Sequence, residues 1–148
     1  MNYIDNTVRF VEDTIRFIED RWLPALESGR YKQADGTLRH LEDGKYSYCC
    51  LGVACNLQSN RKGWEGRKVG SVRAIGSNFG WKGSDSGDTS SLLYNANWPM
   101  PALTTQELRE LASMNDSGIS FLDIASHIRS QILPRLYTIL DTIPVKYQ

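Results

Sequence analysis

Three cysteines and two histidines are the residues of this chain best suited to covalent chemistry. Cys49 and Cys50 are adjacent, and Cys55 follows within the same apolar run. A cysteine at the start of a helix that follows a strand is an arrangement used by cysteine hydrolases, because the helix N-terminus lowers the thiol pKa and provides backbone donors for an oxyanion. Cys49 or Cys50 is therefore a candidate nucleophile, with His40 or His127 as its base. The alternative is three small core residues, since free cysteine is among the most buried residue types.

The same side chains contain the nitrogen and sulfur ligands that zinc prefers, namely His40 with Cys49, Cys50 and Cys55. Structural zinc motifs combine two closely spaced pairs of ligands, and this sequence has one such pair. We therefore expect no metal and no cofactor. An odd number of cysteines in one short stretch is also a poor disulfide framework, which indicates reduced thiols and a reducing compartment.

Composition bounds the remaining classes of function. The 148 residues suit a single domain, and 17 basic residues balance 17 acidic residues. A chain without basic excess lacks the charge that general nucleic-acid binding requires, which argues against a nucleic-acid partner. No apolar run approaches the ~20 residues of a membrane-spanning helix, and acidic residues stand where a signal peptide would be basic. We expect a cytoplasmic protein with no membrane partner.

The N-terminal segment predicts a helix from Asn6 to Ser28. Its apolar residues recur at spacings of three and four and so share one face: Val8, Val11, Ile15, Ile18 and Trp22. Pro24 must kink this helix or begin a new short one, since proline lacks the N–H that a helix interior needs. Gly29 is a plausible stop. The apolar face is also rich enough to make the chain a homo-oligomer.

Two Asp-Gly turns, at Asp35-Gly36 and Asp43-Gly44, separate three short β-favouring stretches and predict a small antiparallel meander. The following run, Cys49 to Leu57, is apolar on every side. It predicts a short, mostly buried helix, and a buried strand is the competing interpretation. From about residue 59 to 97 the composition changes to a glycine-rich insertion that contains Trp64 and Trp81. We expect this insertion to belong to the single domain, residues 1–148.

The last third of the chain predicts two helices. Thr104 and Glu107 have the spacing of a capping box, and Ser120 is a second cap after a break at residues 115–118. Pro134 then interrupts, and a short final helix follows. We find no internal repeat. With helices at both ends and a small antiparallel sheet between them, the fold class is α+β.

The two helices from Leu108 to Ile128 also have the outline of a helix-turn-helix, which makes a DNA-binding regulator one alternative function. The second helix has these residues on its polar side: Ser126, His127, Arg129, Ser130 and Gln131. A packed helical hairpin is the commoner explanation of such a pair.

Aromatic and basic residues gather around the predicted hairpin, at Arg30, Tyr31, Lys32 and Arg39 with Gln33 among them, and again in the glycine-rich insertion. Aromatic faces stack on bases and arginine binds phosphate, so such a group suits a nucleotide-like ligand or the anchor residues of a protein interface.

One stretch, SGRYKQADGTLRHLEDGKYSYCCLGVACNL, resembles a family of small uncharacterised proteins from tailed bacteriophages and prophages. The resemblance rests on the YCCLGV-x-C core and on the later NDSG-x-SF-x-x-IA segment, and it covers about half the chain. It brings no catalytic residue or cofactor. It implies an accessory protein made in the host bacterial cytoplasm, of a kind that often blunts host defences by binding.

We therefore expect a non-enzymatic binding protein for host takeover or counter-defence, which sequesters a nucleotide signal or inhibits a host protein. The alternatives are the cysteine hydrolase and the DNA-binding regulator. The candidate binding residues are Tyr31, Gln33, Arg39, Trp64, Arg73, Trp81, Asn115 and Asp116.

Overall fold

A computed structural model describes residues 3–59 and 98–143 of the chain. Most of the glycine-rich insertion, with the candidate binding residues Trp64, Arg73 and Trp81, lies outside these residues. The described part has helices at both ends and one small antiparallel sheet, so the α+β class is confirmed. Within it, no helix is both long and apolar enough to cross a bilayer.

The first helical unit has three consecutive parts: α1 (Tyr3–Phe17), a π-helical turn (Ile18–Trp22) and α2 (Leu23–Glu27). Pro24 lies in the first turn of α2, where a missing N–H costs least, so of the two outcomes predicted for it, a kink or a new short helix, the structure has the second. The wider π turn absorbs the interruption and keeps Ile18 and Trp22 both fully buried. Gly29, with φ of +77°, follows the end of α2.

The C-terminal helical unit is built in the same way. It consists of α5 (Phe121–His127), a second π turn (Ile128–Ile132) and α6 (Leu133–Thr142), again with a proline, Pro134, in the first turn after the π segment. Both units carry an isoleucine, three variable residues, a large apolar residue and then Leu-Pro-x-Leu. Our expectation of no internal repeat therefore overlooked this short recurring pattern.

The two helical units pack antiparallel, with α1 beside α6 and α2 beside α5. Arg129 makes two hydrogen bonds to the Glu27 carboxylate, at 2.7 and 3.2 Å, near one end of the contact. The Tyr137 hydroxyl donates to Glu19 at 2.7 Å near the other end. Since Glu27 and Tyr137 hold matching places in the two patterns, as do Glu19 and Arg129, the pairing is locally two-fold symmetric in outline.

The sheet is smaller than predicted. β1 (Arg39–Glu42) and β2 (Lys45–Tyr48) form an antiparallel hairpin whose turn, Asp43-Gly44, has positive φ at both residues. The prediction of a three-stranded meander is wrong at its first strand, because Gln33 makes only a single parallel bridge to Tyr48. The Asp35-Gly36 turn does not join two hairpin strands, because the Gly36 N–H donates to the Asp116 carboxylate, far along the chain.

The centre of the fold is α3 (Cys50–Ser59), which confirms the predicted buried helix. Every residue from Cys50 to Cys55 is buried, because the first helical unit, the hairpin and α4 (Thr105–Asp116) all pack against it. The Trp22 indole N–H donates to the Cys50 carbonyl at 2.9 Å. At Gly52 the backbones approach so closely that a Cβ would lie 1.7 Å from the Leu38 carbonyl oxygen.

The cap predicted for α4 is present in full. The Glu107 N–H donates to the Thr104 hydroxyl at 3.1 Å, and the Thr104 N–H donates to the Glu107 carboxylate at 2.8 Å. The same carboxylate accepts two hydrogen bonds from the Arg135 guanidinium, which also donates to the Ala102 carbonyl. One acidic residue therefore both caps α4 and ties α6 to it. Ser120 caps α5 through the Asp123 N–H, as predicted.

Candidate functional site

The three thiols lie in the core. Cys49, Cys50 and Cys55 are each at most 1% exposed, and all three are free. Burial raises the pKa of Cys49 to about 12 and raises those of Cys50 and Cys55 well above the ordinary value, since the interior disfavours a thiolate. The Cys50 thiol donates to the Leu111 carbonyl, and the Cys49 sulfur accepts from the Gly52 N–H. This environment is that of structural cysteines and is the reverse of the electropositive, accessible setting of a nucleophile.

We expect all three thiols of the folded protein to react with iodoacetamide much more slowly than those of the unfolded chain, because they are buried and protonated. In guanidinium their rates should level off once the pH passes the free-thiol pKa of ~8.5, whereas in the folded protein the much slower rates should still be rising at that pH. Intact-mass spectrometry at several pH values measures both. Rapid modification of one thiol near pH 6 in the folded protein would reveal a low-pKa nucleophile and contradict this assignment.

The proposed zinc ligands do not come together. Within residues 3–59 and 98–143, no group of three or more histidine, cysteine and acidic side chains could hold a metal ion. The His40 imidazole instead lies 3.7 Å from a carboxylate oxygen of its strand neighbour Glu42. The metal alternative therefore has no support in this part of the chain.

Two of the candidate binding residues, Gln33 and Asn115, meet in a buried polar junction. The Asn115 side-chain oxygen accepts from the Gln33 amide at 2.9 Å and from the Cys50 N–H, at the start of α3, at 3.1 Å. Its amide nitrogen donates to the Ala34 carbonyl at 2.6 Å. Gln33 also donates to the Ile119 carbonyl at 2.7 Å. One asparagine, 1% exposed, thus joins α4 to α3 and to the segment before the hairpin.

Asp116, the next residue, extends this junction to the surface by accepting from the Gly36 N–H at 2.8 Å. Sequence reasoning grouped Gln33, Asn115 and Asp116 as binding residues, and the fold does bring them together. Their hydrogen bonds give them a structural role, because each bond links segments that are distant in the chain. A role in ligand binding stays a prediction for these three residues.

Arg39, another candidate, is a buried cation within an aromatic cluster. Its guanidinium lies 4.2 Å from the centre of the Tyr46 ring, and the side chain is 7% exposed. Burial raises the pKa of Tyr48, and the adjacent positive charge and hydrogen bond of Arg39 oppose that rise. Tyr31 completes the cluster, with the centre of its ring 5.2 Å from the centre of the Tyr48 ring in an edge-to-face arrangement. Tyr48 in this cluster packs against the Tyr31 ring and helps to hold it in place.

Tyr31 also borders an open surface groove, which we call the Tyr31 groove. Its floor comes from the exposed face of the first helical unit, its far wall is Leu57 of α3, and its volume is about 470 Å³. Its remaining lining residues are Asp20, Arg21, Pro24, Ala25, Ser28 and Arg30. It thus combines an aromatic ring, an apolar floor and two arginines, the mixture that small-ligand sites use.

A second groove of about 470 Å³ continues along the same helical unit, and we call it the Trp98 groove. Arg21 lies at the boundary and borders both grooves. Its guanidinium donates to the Leu57 carbonyl and lies 5.5 Å from the centre of the Phe17 ring. The Trp98 groove also exposes Phe10, whose side chain is 49% accessible. The two grooves make one continuous mixed aromatic and charged face.

Comparison with known proteins adds a family. The family model described as a domain of unknown function, DUF8296, matches residues 15–132. The chain belongs to the DUF8296 family. No curated protein and no solved structure matches it.

The DUF8296 match runs from Ile15 to Ile132 and so includes both π turns, the hairpin, α3 and α4. The Tyr31 groove also falls within it, since all its lining residues lie between Asp20 and Leu57. Phe10, at the far end of the Trp98 groove, lies outside it. The family region therefore contains the whole of one groove and only part of the other.

Sequence reasoning missed most of the residues that line the two grooves, among them Arg21 and Pro24. A signal existed in the spacing of Phe10, Asp13, Phe17, Arg21 and Pro24, which repeats every three to four residues on a face that adjoins the buried stripe. The buried stripe is the clearer pattern in the sequence because its residues are uniformly apolar. A second face that mixes aromatic, proline and charged residues does not stand out in this way, because its members share no single property.

The helix proposed to bind DNA packs against the first helical unit of the DUF8296 fold. Arg129, its one firm cation, is paired with Glu27, and the carboxylate raises the pKa of the guanidinium further. Ser126, Ser130 and Gln131 are exposed, and His127 is half-buried. An arginine neutralised by its own chain is a weak phosphate ligand.

Proposed function

We propose that this protein is a non-catalytic binding protein that acts in the bacterial cytoplasm during phage takeover or counter-defence. Its target would bind the face made by the Tyr31 and Trp98 grooves. One observation carries the proposal: the thiols are enclosed in the core, whereas arginine and aromatic side chains line open grooves on the first helical unit. The target is a nucleotide signal or a host protein.

The phage setting rests on the YCCLGV-x-C and NDSG-x-SF segments, which resemble those of small phage and prophage proteins. In this structure both segments form elements that hold the fold together. The first passes from β2 into the central helix α3, and the second contains Asn115 and the cap of α5. Resemblance in such segments supports a shared fold, while the grooves are the parts left open to a target.

The same observation weighs against covalent catalysis. A cysteine hydrolase needs an accessible thiolate, and the pKa of Cys49 is about 12. The hydrogen bonds described for the thiols of Cys49 and Cys50 go to backbone groups, and neither histidine takes part in them. The DNA-binding alternative is weakened by the Arg129–Glu27 pair and by a formal net charge of zero.

The decisive experiment is target capture followed by identification of what was captured. The purified protein is incubated with extract of phage-infected bacteria, washed and denatured, and mass spectrometry then measures both small molecules and proteins in the eluate. We expect one compound or one host protein to be enriched by the wild type and depleted with Arg21→Ala, which removes a cationic side chain that borders both grooves. Arg109→Ala, an exposed arginine of α4, is the matched control.

Two results would contradict the proposal. Recovery of a chemically altered compound, with turnover by fresh protein, would show an enzyme. Equal enrichment by the wild type and by Arg21→Ala would show that the target binds elsewhere on the molecule.

A further inference from the structure

We propose that the Tyr31 groove binds a single mononucleotide, with its base against Tyr31 and its phosphate between Arg21 and Arg30. This inference rests on the proposed function and names the ligand class for one of its two grooves. The volume of about 470 Å³ lies within the range of small-molecule sites, roughly 300–1,000 Å³. It suits one nucleotide better than an extended polymer.

Tyr31 is held as a platform for stacking. Its hydroxyl accepts a hydrogen bond from the Asn56 amide at 3.1 Å, and its ring meets Tyr48 at an interplanar angle of 79°. The side chain is half-buried, so part of it is accessible from the groove. A ring already fixed on two sides loses little conformational freedom when a base stacks on it, which is the advantage of a preorganised site.

The two cations are positioned by separate local devices. Arg30 follows the Gly29 turn, whose geometry is secured by Ser28: the serine hydroxyl donates to the Ala25 carbonyl at 2.7 Å and accepts from the Arg30 N–H at 3.1 Å. Arg21 is tethered by its hydrogen bond to the Leu57 carbonyl. A guanidinium has five N–H donors, so this single bond leaves Arg21 able to bind a phosphate oxygen.

Charge limits which nucleotide fits. Arg21 and Arg30 contribute +2 and Asp20 contributes −1, which leaves the groove at +1. That balance suits a cyclic phosphodiester, with one negative charge, or a phosphomonoester with about −1.5 to −2, and disfavours a triphosphate. The Asp20 carboxylate can accept hydrogen bonds from ribose hydroxyls or from an amino group of the base.

The test is thermal melting and calorimetric titration of the purified full chain with AMP, GMP, 3′,5′-cyclic AMP and inorganic phosphate. At a hundred times its Kd, a nucleotide should raise the Tm by roughly 5 °C or more. Arg30→Ala should weaken its binding by about tenfold or more, since a charge-assisted hydrogen bond is lost. Tyr31→Leu should also weaken it, whereas Tyr31→Phe, which keeps the ring and loses only the hydrogen bond from Asn56, should weaken it less than Tyr31→Leu.

Lys32→Ala is the matched control. Lys32 is exposed and lies two residues beyond Arg30, but it borders a different surface pocket with Lys45 and Glu42. The Lys32→Ala substitution removes one positive charge, as Arg30→Ala does, but leaves the Tyr31 groove intact. Nucleotide affinity should therefore be unchanged.

Three outcomes would overturn the inference. The folded wild type could show no shift with any nucleotide, inorganic phosphate could bind as tightly as AMP, or Lys32→Ala could weaken binding as much as Arg30→Ala. The first result would leave the proposed function standing if Arg21→Ala still abolished capture of a host protein. Loss of both signals would remove the proposed function as well.

Discussion

Replacing Gly52 by alanine should lower the free energy of unfolding by more than about 4 kcal/mol and the Tm by roughly 10 °C or more. The added Cβ would lie 1.7 Å from the Leu38 carbonyl oxygen and 2.6 Å from its carbon, and both atoms are backbone. No rotation of a side chain can relieve that contact. Either α3 or the segment entering β1 must move, which would break the hydrogen bond from the Cys49 N–H to the same Leu38 carbonyl.

Gly29→Ala is the control for this substitution. Gly29 has φ of +77° but nothing within 4 Å of its Cβ position, so alanine there should cost only the ~1–2 kcal/mol of a left-handed backbone. Denaturant titration and thermal melting of both variants separate steric from conformational cost. A Gly52→Ala protein as stable as Gly29→Ala would show that α3 and the Leu38 backbone are not packed as closely as described.

Asn115→Leu should be the second most damaging change, with a loss of about 3–5 kcal/mol. Leucine has a similar volume but cannot accept from Gln33 and from the Cys50 N–H, nor donate to the Ala34 carbonyl. The Cys50 N–H and the Ala34 carbonyl would then lose their bonds to residue 115, at a cost of about 1–3 kcal/mol each, while Gln33 would keep only its bond to the Ile119 carbonyl. The effect should appear as a lower denaturant midpoint with an unchanged m-value.

Asn115→Asp adds a dependence on pH whose sign can be stated. A carboxylate would place negative charge against the Ala34 carbonyl, so the pKa of the new group should rise above that of an unfolded aspartate. Its protonated form can still donate to Ala34, so the cost should be small below the unfolded pKa. The cost should grow as pH rises through the folded pKa.

Asp116→Ala is the control for both Asn115 variants, because it removes the neighbouring exposed hydrogen bond to Gly36 and should cost about 1 kcal/mol. A cost for Asn115→Leu no larger than this would mean that the junction does not hold α3 and α4 together. A pH-independent cost for Asn115→Asp would contradict the buried contact with Ala34.

The features predicted correctly are those that neighbouring residues decide. Thr104 and Glu107 satisfy each other's N–H groups within one turn, and Asp43-Gly44 closes a hairpin through its own dihedral angles. The prediction at Asp35-Gly36 was wrong for the complementary reason. Glycine permitted the turn, but a hydrogen bond to Asp116, eighty residues away, determined where it leads.

The candidate site likewise has one part that local sequence indicates and another that depends on tertiary contacts. Tyr31 could be named from its residue type, because an aromatic residue beside basic residues is a binding signal in any fold. The groove that it borders also needs Pro24 from the first helical unit and Leu57 from α3, and no local pattern indicates that these meet. Gln33 and Asn115 were both named as binding residues, and only their hydrogen bonds in the folded chain reveal that they join elements of the fold.

By itself the sequence determined the α+β class, the helix caps, the hairpin turn, the buried central helix and the interruption at each proline. All of these follow from local dihedral preferences or from the period of the apolar residues. Tertiary structure alone decided that the interruptions become π turns packed antiparallel, that Gly52 touches the Leu38 backbone and that the thiols are enclosed. Each of these depends on contacts between residues far apart in the chain, and such contacts exist only once the core has formed.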